Sequence, residues 1–179
     1  MNIRDISTEA RFVLSAIALL IIGMLVTMFA PFIYSETKYF SEDAIVWIIP
    51  MTNFWLLGLA FIIVIVMLLL LAWRRNMWTY MMSVLLIGAA LFVGYLSFLS
   101  VTFIRETGIE QRDVLTTHAY TWQEIDHVVL TYDERNQEMY TFTPKKGEPF
   151  TLAQNAKTAS AGLQSLLSEN DVPFEERAE

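Results

Sequence analysis

Two histidines, His118 and His127, are the only imidazoles in the chain, and Glu124 and Asp126 lie between them. Imidazole nitrogens and carboxylate oxygens together can ligate zinc or a related divalent ion, but a site needs three or four such groups brought to one point. The histidines are 9 positions apart and fall on separate predicted strands, so the spacing predicts dispersed polar side chains and no metal. Glu124 and Asp126 stand at i and i+2 and share a face if both belong to one extended strand. A carboxylate pair of that kind can work as general acid and base. At the turn between Trp122 and Val128 the expected role is exposed surface.

Other routes to chemistry are closed by composition. The chain has no cysteine, which removes disulfides, thiolate metal sites and cysteine nucleophiles. Gly-x-Ser-x-Gly occurs nowhere, and the 7 glycines form neither a phosphate-cradling loop nor a dinucleotide fingerprint. Beside Pro50, Thr52 and Asn53 are the only polar groups suggestive of a membrane-embedded catalyst. The expectation is a protein that is not an enzyme and uses no cofactor.

The elements that must position these residues divide into two solvents. Hydrophobic residues make up 55% of the 179, too many for an ordinary soluble domain. Residues 1–104 are electrically neutral, whereas residues 105–179 carry the whole formal charge of −7. An acidic soluble segment argues against nucleic acid as a partner and against electrostatic adhesion to anionic lipid, both of which need clustered Lys and Arg.

Residues 12–34 contain no charge and give about 34 Å of helix, enough for a hydrocarbon core of about 30 Å. They form the first predicted span, an uncleaved signal anchor, followed by a polar loop from Ser35 to Asp43. The second span is predicted over 54–73. Residues 44–53, set off by Pro50, read as a tilted extension of that helix or as an interfacial segment, with Trp47 and Trp55 near the headgroups. Residues 77–104 form the third span, long enough to cross with tilt.

Arg74 and Arg75 are the only charges between Asp43 and Arg105. Basic residues in short loops favour the cytoplasmic side. With Arg4 and Arg11 before span one and only Lys38 between spans one and two, the order is in, out, in. The N-terminus is then cytoplasmic and the C-terminal segment extracytoplasmic, although Arg105 and Arg112 pull the other way. Trp73 and Trp78 bracket the arginine pair as interface anchors.

The spans hold no acid, base or histidine. Their hydroxyls and amides, among them Ser15, Thr27, Asn53, Thr79, Ser83, Tyr95, Ser97, Ser100 and Thr102, are expected to cap helix ends, bond the preceding turn or lie at interfaces. The sharper alternative is a polar seam of Tyr95, Ser97, Ser100 and Thr102 toward a partner helix, with Ala90 and Gly94 as a small-xxx-small step. A stand-alone ion-coupled transporter is disfavoured.

After Ile104 the pattern changes to short alternating runs. Strands are predicted at Gly108–Leu115, His118–Trp122, Asp126–Tyr132, Glu138–Thr143 and Pro149–Ala153. Turns are predicted at Asp133–Asn136 and Lys145–Glu148, the lysine pair Lys145 and Lys146 being read as a solvated turn. A helix capped by Asn155 runs to about Glu169. The predicted core is Trp122, Ile125, Val128, Leu130, Tyr140, Phe142, Leu163, Leu166 and Leu167. Antiparallel strands closed by an amphipathic helix describe a small β-rich α+β domain, a curved sheet or partial barrel.

The order "GI…YTWQEIDHVVL…YTFTPKKGEPFTLA…LQSLLSENDV", from Gly108 to Val172, resembles the bacterial pleckstrin-homology-like domains fused to membrane spans in Gram-positive proteins. In those families a Trp-x-Glu-Ile step, matched by Trp122, Glu124 and Ile125, leads into a strand, and a Gly-containing hairpin followed by a helix closes the domain. The resemblance implies a PH-like fold but no phosphoinositide binding, and the segment is short for a full seven-stranded form.

The expected function is a non-catalytic, multi-pass membrane protein. Its extracytoplasmic domain binds or scaffolds a protein partner, as an envelope regulator or accessory subunit, with a homo-oligomer as one form. The alternative is a small subunit of an exporter, or a self-protection protein against a membrane-active peptide.

Overall fold

The structure is a computed structural model and describes residues 7–39, 44–132, 138–153 and 162–177. The chain divides into two compact units, Met1–Phe40 with Ile49–Ser100, and Ser41–Ile48 with Val101–Glu179.

The first unit contains three helices, α1 (Thr8–Tyr39), α2 (Met51–Trp73) and α3 (Met77–Leu96). Each is long and apolar enough to cross a membrane. α1 exceeds the predicted span at both ends and takes up Ser35–Tyr39, where the sequence suggested a loop. The Ser35 and Thr37 hydroxyls donate to the carbonyls of Phe32 and Ile33, and Lys38 Nζ donates to Tyr34 Oη 3.0 Å away. The polar residues of this last turn therefore satisfy themselves against the helix, and a lysine there also complements the helix dipole. Pro31 lies inside α1 and does not end it.

α2 begins directly after Pro50, whose extended backbone serves as N-cap. Arg74 and Arg75 fall in the break between α2 and α3, and Asn76 caps α3 by accepting from Thr79 N at 2.8 Å. α2 packs against both other helices. Gly23 of α1 lets the Phe61 ring approach so closely that a Cβ there would stand 2.8 Å from it, and Gly94 of α3 faces Ala60 of α2. Small residues permit this intimacy, as is usual where lipid supplies no hydrophobic drive.

α3 stops at Leu96, eight residues before the predicted end of span three. Residues 101–105 are instead strand β2; of the 44–53 segment, Val46–Ile48 form strand β1 and Met51–Asn53 extend the second helix beyond its predicted start. In antiparallel register Trp47 faces Phe103 and Ile48 faces Thr102. Sheet order is β1-β2-β3-β4, with β3 at Gly108–Arg112 and β4 at Thr117–Thr121. Gly108, at φ +154°, allows the tight β2–β3 return, and a Cβ on it would lie 2.1 Å from the Tyr120 carbonyl oxygen.

A short 3-10 turn, Trp122–Glu124, leads to the second sheet, ordered β7-β6-β5-β8, with β5 at Ile125–Tyr132, β6 at Glu138–Pro144, β7 at Phe150–Ala153 and β8 at Phe174–Arg177. β8, which no alternation in the sequence predicts, runs parallel to β5. α4 (Leu163–Glu169) precedes it. The Asn155 cap and the Asp133–Asn136 turn lie outside the described residues.

The two sheets and α4 share one core. Val46, Ile104 and Ile109 of the first sheet meet Ile125, Val128, Leu130, Tyr140, Phe142 and Leu152 of the second, with Trp122, Leu163, Leu166 and Leu167 among them. Trp122 Nε1 donates to the Glu106 carbonyl at 2.8 Å, which satisfies the indole inside the core. The described strands form two four-stranded sheets and no closed barrel.

Candidate functional site

The carboxylates and imidazoles between residues 118 and 127 do not converge. Glu124 is in the 3-10 turn, where its carboxylate accepts from Thr121 N at 2.8 Å and from Thr121 Oγ1. This closes a capping box, and the backbone bond from Thr121 holds the Glu124 carboxyl below its usual range. Asp126 is on β5 and contacts His127 Nδ1 at 2.9 Å, while His118 stacks on Tyr120 in β4. The two carboxylates thus belong to different elements and share no strand face. Among the described residues no three His, Asp or Glu side chains are grouped to hold a metal.

Lys145 and Lys146 are both exposed in the turn between β6 and β7, and Lys145 also reaches back to the 3-10 turn. Lys145 Nζ donates to the Gln123 carbonyl at 2.8 Å, and Lys145 N donates to the Glu124 carbonyl. Gly147, at φ +123°, sits over the Tyr120 hydroxyl. The β6–β7 hairpin is therefore docked on the 3-10 turn.

In the helical unit, polar groups gather at the end opposite the arginine turn. Asn53, in the first turn of α2, donates through Nδ2 to the Ser100 carbonyl at 2.7 Å. Asn53, Ser97 and Ser100 are 3%, 0% and 2% exposed. Ser97 Oγ donates to the Gly94 carbonyl at 2.6 Å. Two ring contacts tie α1 to the residues next to them in sequence: Phe32 with Phe54 at 5.3 Å and Tyr34 with Phe98 at 4.8 Å between centroids. Of the residues suggested as a polar seam, Ser97 and Ser100 join Asn53 here, whereas Thr102 belongs to β2 and Tyr95 is exposed. Thr52 is exposed on α2. Among the described residues the bonds that join this cluster come from an amide, a hydroxyl and backbone carbonyls.

Between α2 and α3 lies an apolar groove of about 560 Å³, floored by the small residues Ala60, Ala90 and Gly94 and flanked by Phe61, Met67 and Phe98. Trp73 and Trp78 are exposed beside the arginine turn.

One charged arrangement escaped the sequence. Glu110 on β3 accepts from Arg112 Nε at 2.7 Å and from the Arg105 guanidinium at 3.2 Å. Both guanidinium groups also lie about 5 Å from the centroid of the buried Phe103 ring, at 4.9 and 5.1 Å. The Arg112 hydrogen bond, with Arg105, holds the Glu110 carboxyl below its usual range. The Phe103/Arg105 and Glu110/Arg112 alternation was the available signal, but it is readable only once residues 101–105 are recognised as a strand.

Among the described strands, β4 pairs only with β3. Thr117, His118, Ala119 and Thr121 are exposed, and none of the five residues of β4 is charged.

No family model matches the chain, and no curated protein matches it.

Proposed function

We propose that this is a non-catalytic, multi-pass membrane protein of the Gram-positive kind, whose PH-like domain faces the extracytoplasmic space and binds or scaffolds a protein partner. The observation that carries the reading is the edge of β4, which among the described strands pairs only with β3. Natural sheets guard their edges with charge, proline, bulges or shortness. β8 carries Glu175, Glu176 and Arg177, β1 is 3 residues long and β7 is 4. β4 has 5 residues, no charge and four exposed side chains, the form of edge that accepts an added strand from another chain. The acidic surface of residues 105–179 favours a protein partner over nucleic acid.

The test is recovery of a partner from membranes in mild detergent with the full chain as bait. A stoichiometric partner is expected with the wild type and loss of it with His118→Lys, an edge lysine placed opposite the neutral Gln111. A chain that purifies as a partnerless monomer, or equal recovery by His118→Lys, contradicts the reading.

The α2–α3 groove supports a second reading, a small exporter subunit or self-protection protein, because its floor of Ala60, Ala90 and Gly94 suits close approach of a partner helix. Deletion of the gene followed by challenge with membrane-active peptides separates the two, and unchanged sensitivity removes self-protection.

A further inference from the structure

We infer that the turn between α2 and α3 binds an anionic phospholipid, whose phosphate is held by Arg74 between Trp73 and Trp78. α2 ends at Trp73 and α3 begins at Met77, so the turn lies where two helices of bilayer length leave the hydrocarbon. Its two arginines are not equivalent. Arg75 pairs with Glu9 in the first turn of α1, and its guanidinium lies 6.0 Å from the centroid of the Phe12 ring, so its charge is answered within the protein. Arg74 is exposed and has no carboxylate partner among the described residues. Its backbone is held, because its N–H caps α2 by donating to the Leu70 carbonyl. Arg11 also lies in the first turn of α1. Among the described residues, three arginines at this end therefore meet one acid, Glu9, and the excess positive charge is complementary to an anion.

The surroundings of Arg74 select a lipid. Trp73, Met77 and Trp78 are 87%, 77% and 77% exposed, and neither indole has a hydrogen-bond partner among the described residues. An uncovered indole suits the headgroup level, with its ring toward the acyl chains and its N–H toward phosphate and ester oxygens. Arginine supplies the fork that fits two phosphate oxygens. Below Trp73, Leu69, Val66 and Ile62 follow at helical spacing on the same face of α2, all exposed. A chain descending from the phosphate meets that apolar track. A soluble polyanion would satisfy Arg74 and leave both indoles in water. A zwitterionic headgroup would bring its own cation to the guanidinium, which a net negative headgroup does not.

The test is native mass spectrometry of the full chain released from mixed micelles that contain equal amounts of phosphatidylglycerol and phosphatidylcholine with matched chains. One lipid composition surrounds every face, so membrane orientation does not enter the result. The wild type is expected to retain phosphatidylglycerol on the order of tenfold over phosphatidylcholine. Arg74→Gln should fall to near parity, and Arg74→Lys, which keeps the charge and loses the fork, should lie between. Lys38→Gln, at the opposite end of α1, should leave the ratio unchanged. Parity in the wild type, a preference that survives Arg74→Gln, or an equal loss in Lys38→Gln overturns the inference. Displacement of the retained lipid by polyglutamate or by inorganic phosphate at the same concentration overturns it too, since either marks a site for a soluble anion. The wild-type ratio decides alone if Arg74→Gln does not fold.

Discussion

The guanidinium of Arg75 pairs with the carboxylate of Glu9, joining the turn after α2 to the first turn of α1 across 66 positions of sequence. Arg11, Arg74 and Arg75 thereby share one end of the helical unit. The opposite end holds Lys38, the Asn53–Ser100 bond and the Tyr34–Phe98 contact. The arginine-rich end is the one that the positive-inside tendency assigns to the cytoplasm.

The value of these arginines is directional more than energetic. A solvent-exposed pair of this kind contributes little to stability, so Arg75→Ala is expected to leave thermal stability nearly unchanged. Reversal of Arg74 and Arg75 to Glu should instead split the population between two orientations, scored by protease accessibility of the C-terminal segment in sealed vesicles. A single unchanged orientation counts against Arg74 and Arg75 as the determinants.

Gly108→Ala should be among the most damaging single changes in the β unit. Its φ of +154° is strained for any L side chain, and the Cβ would collide with the Tyr120 carbonyl, a backbone atom that cannot swing aside. A loss on the order of 3 kcal/mol or more is expected, read as protease sensitivity of residues 101–177. Gly88→Ala, where a Cβ meets nothing within 4 Å, is the control and should be neutral or mildly stabilising.

Trp122→Phe keeps an aromatic ring in the core but leaves the Glu106 carbonyl without its 2.8 Å donor. A cost of about 1–3 kcal/mol is expected, measured by thermal denaturation against the wild type.

How far these residues could be read in advance differs by element. The three apolar helices, the β6–β7 hairpin and the Leu163, Leu166 and Leu167 stripe follow from run length and periodicity. β2 was absorbed into span three because Val101, Phe103 and Ile104 are all buried; a strand enclosed on both faces loses its alternation and reads as a continuous apolar run. β1 is hidden by its length, three residues beside a helix start that Pro50 marks more loudly. β8 has three charges in four residues, and only its parallel pairing with β5 makes it a strand. Asn53 could be singled out beside Pro50, but its partner Ser100 lies 47 positions away, a separation that no local pattern encodes.

Two titrations bracket the β unit. Glu110 has a folded pKa below its unfolded value, chiefly through its hydrogen bond from Arg112. Its contribution is therefore present above the unfolded pKa and is lost as pH falls through the folded pKa. Tyr132 donates to Glu176 at 2.6 Å, and this bond raises its pKa to about 12. Its contribution is full below the unfolded pKa and disappears as pH rises through the folded one. Glu110→Gln should flatten the acid limb of the stability profile and Tyr132→Phe the alkaline limb. Unchanged limbs in these variants would show that neither group is linked to folding.

The claim that the β unit works outside the cytoplasm is tested most directly by a pair of reporters fused after Glu179, one active only in the cytoplasm and one only beyond the membrane. The extracytoplasmic reporter is expected to be active and the cytoplasmic one silent. Activity of the cytoplasmic reporter alone contradicts the assignment and turns the β4 edge toward an intracellular partner.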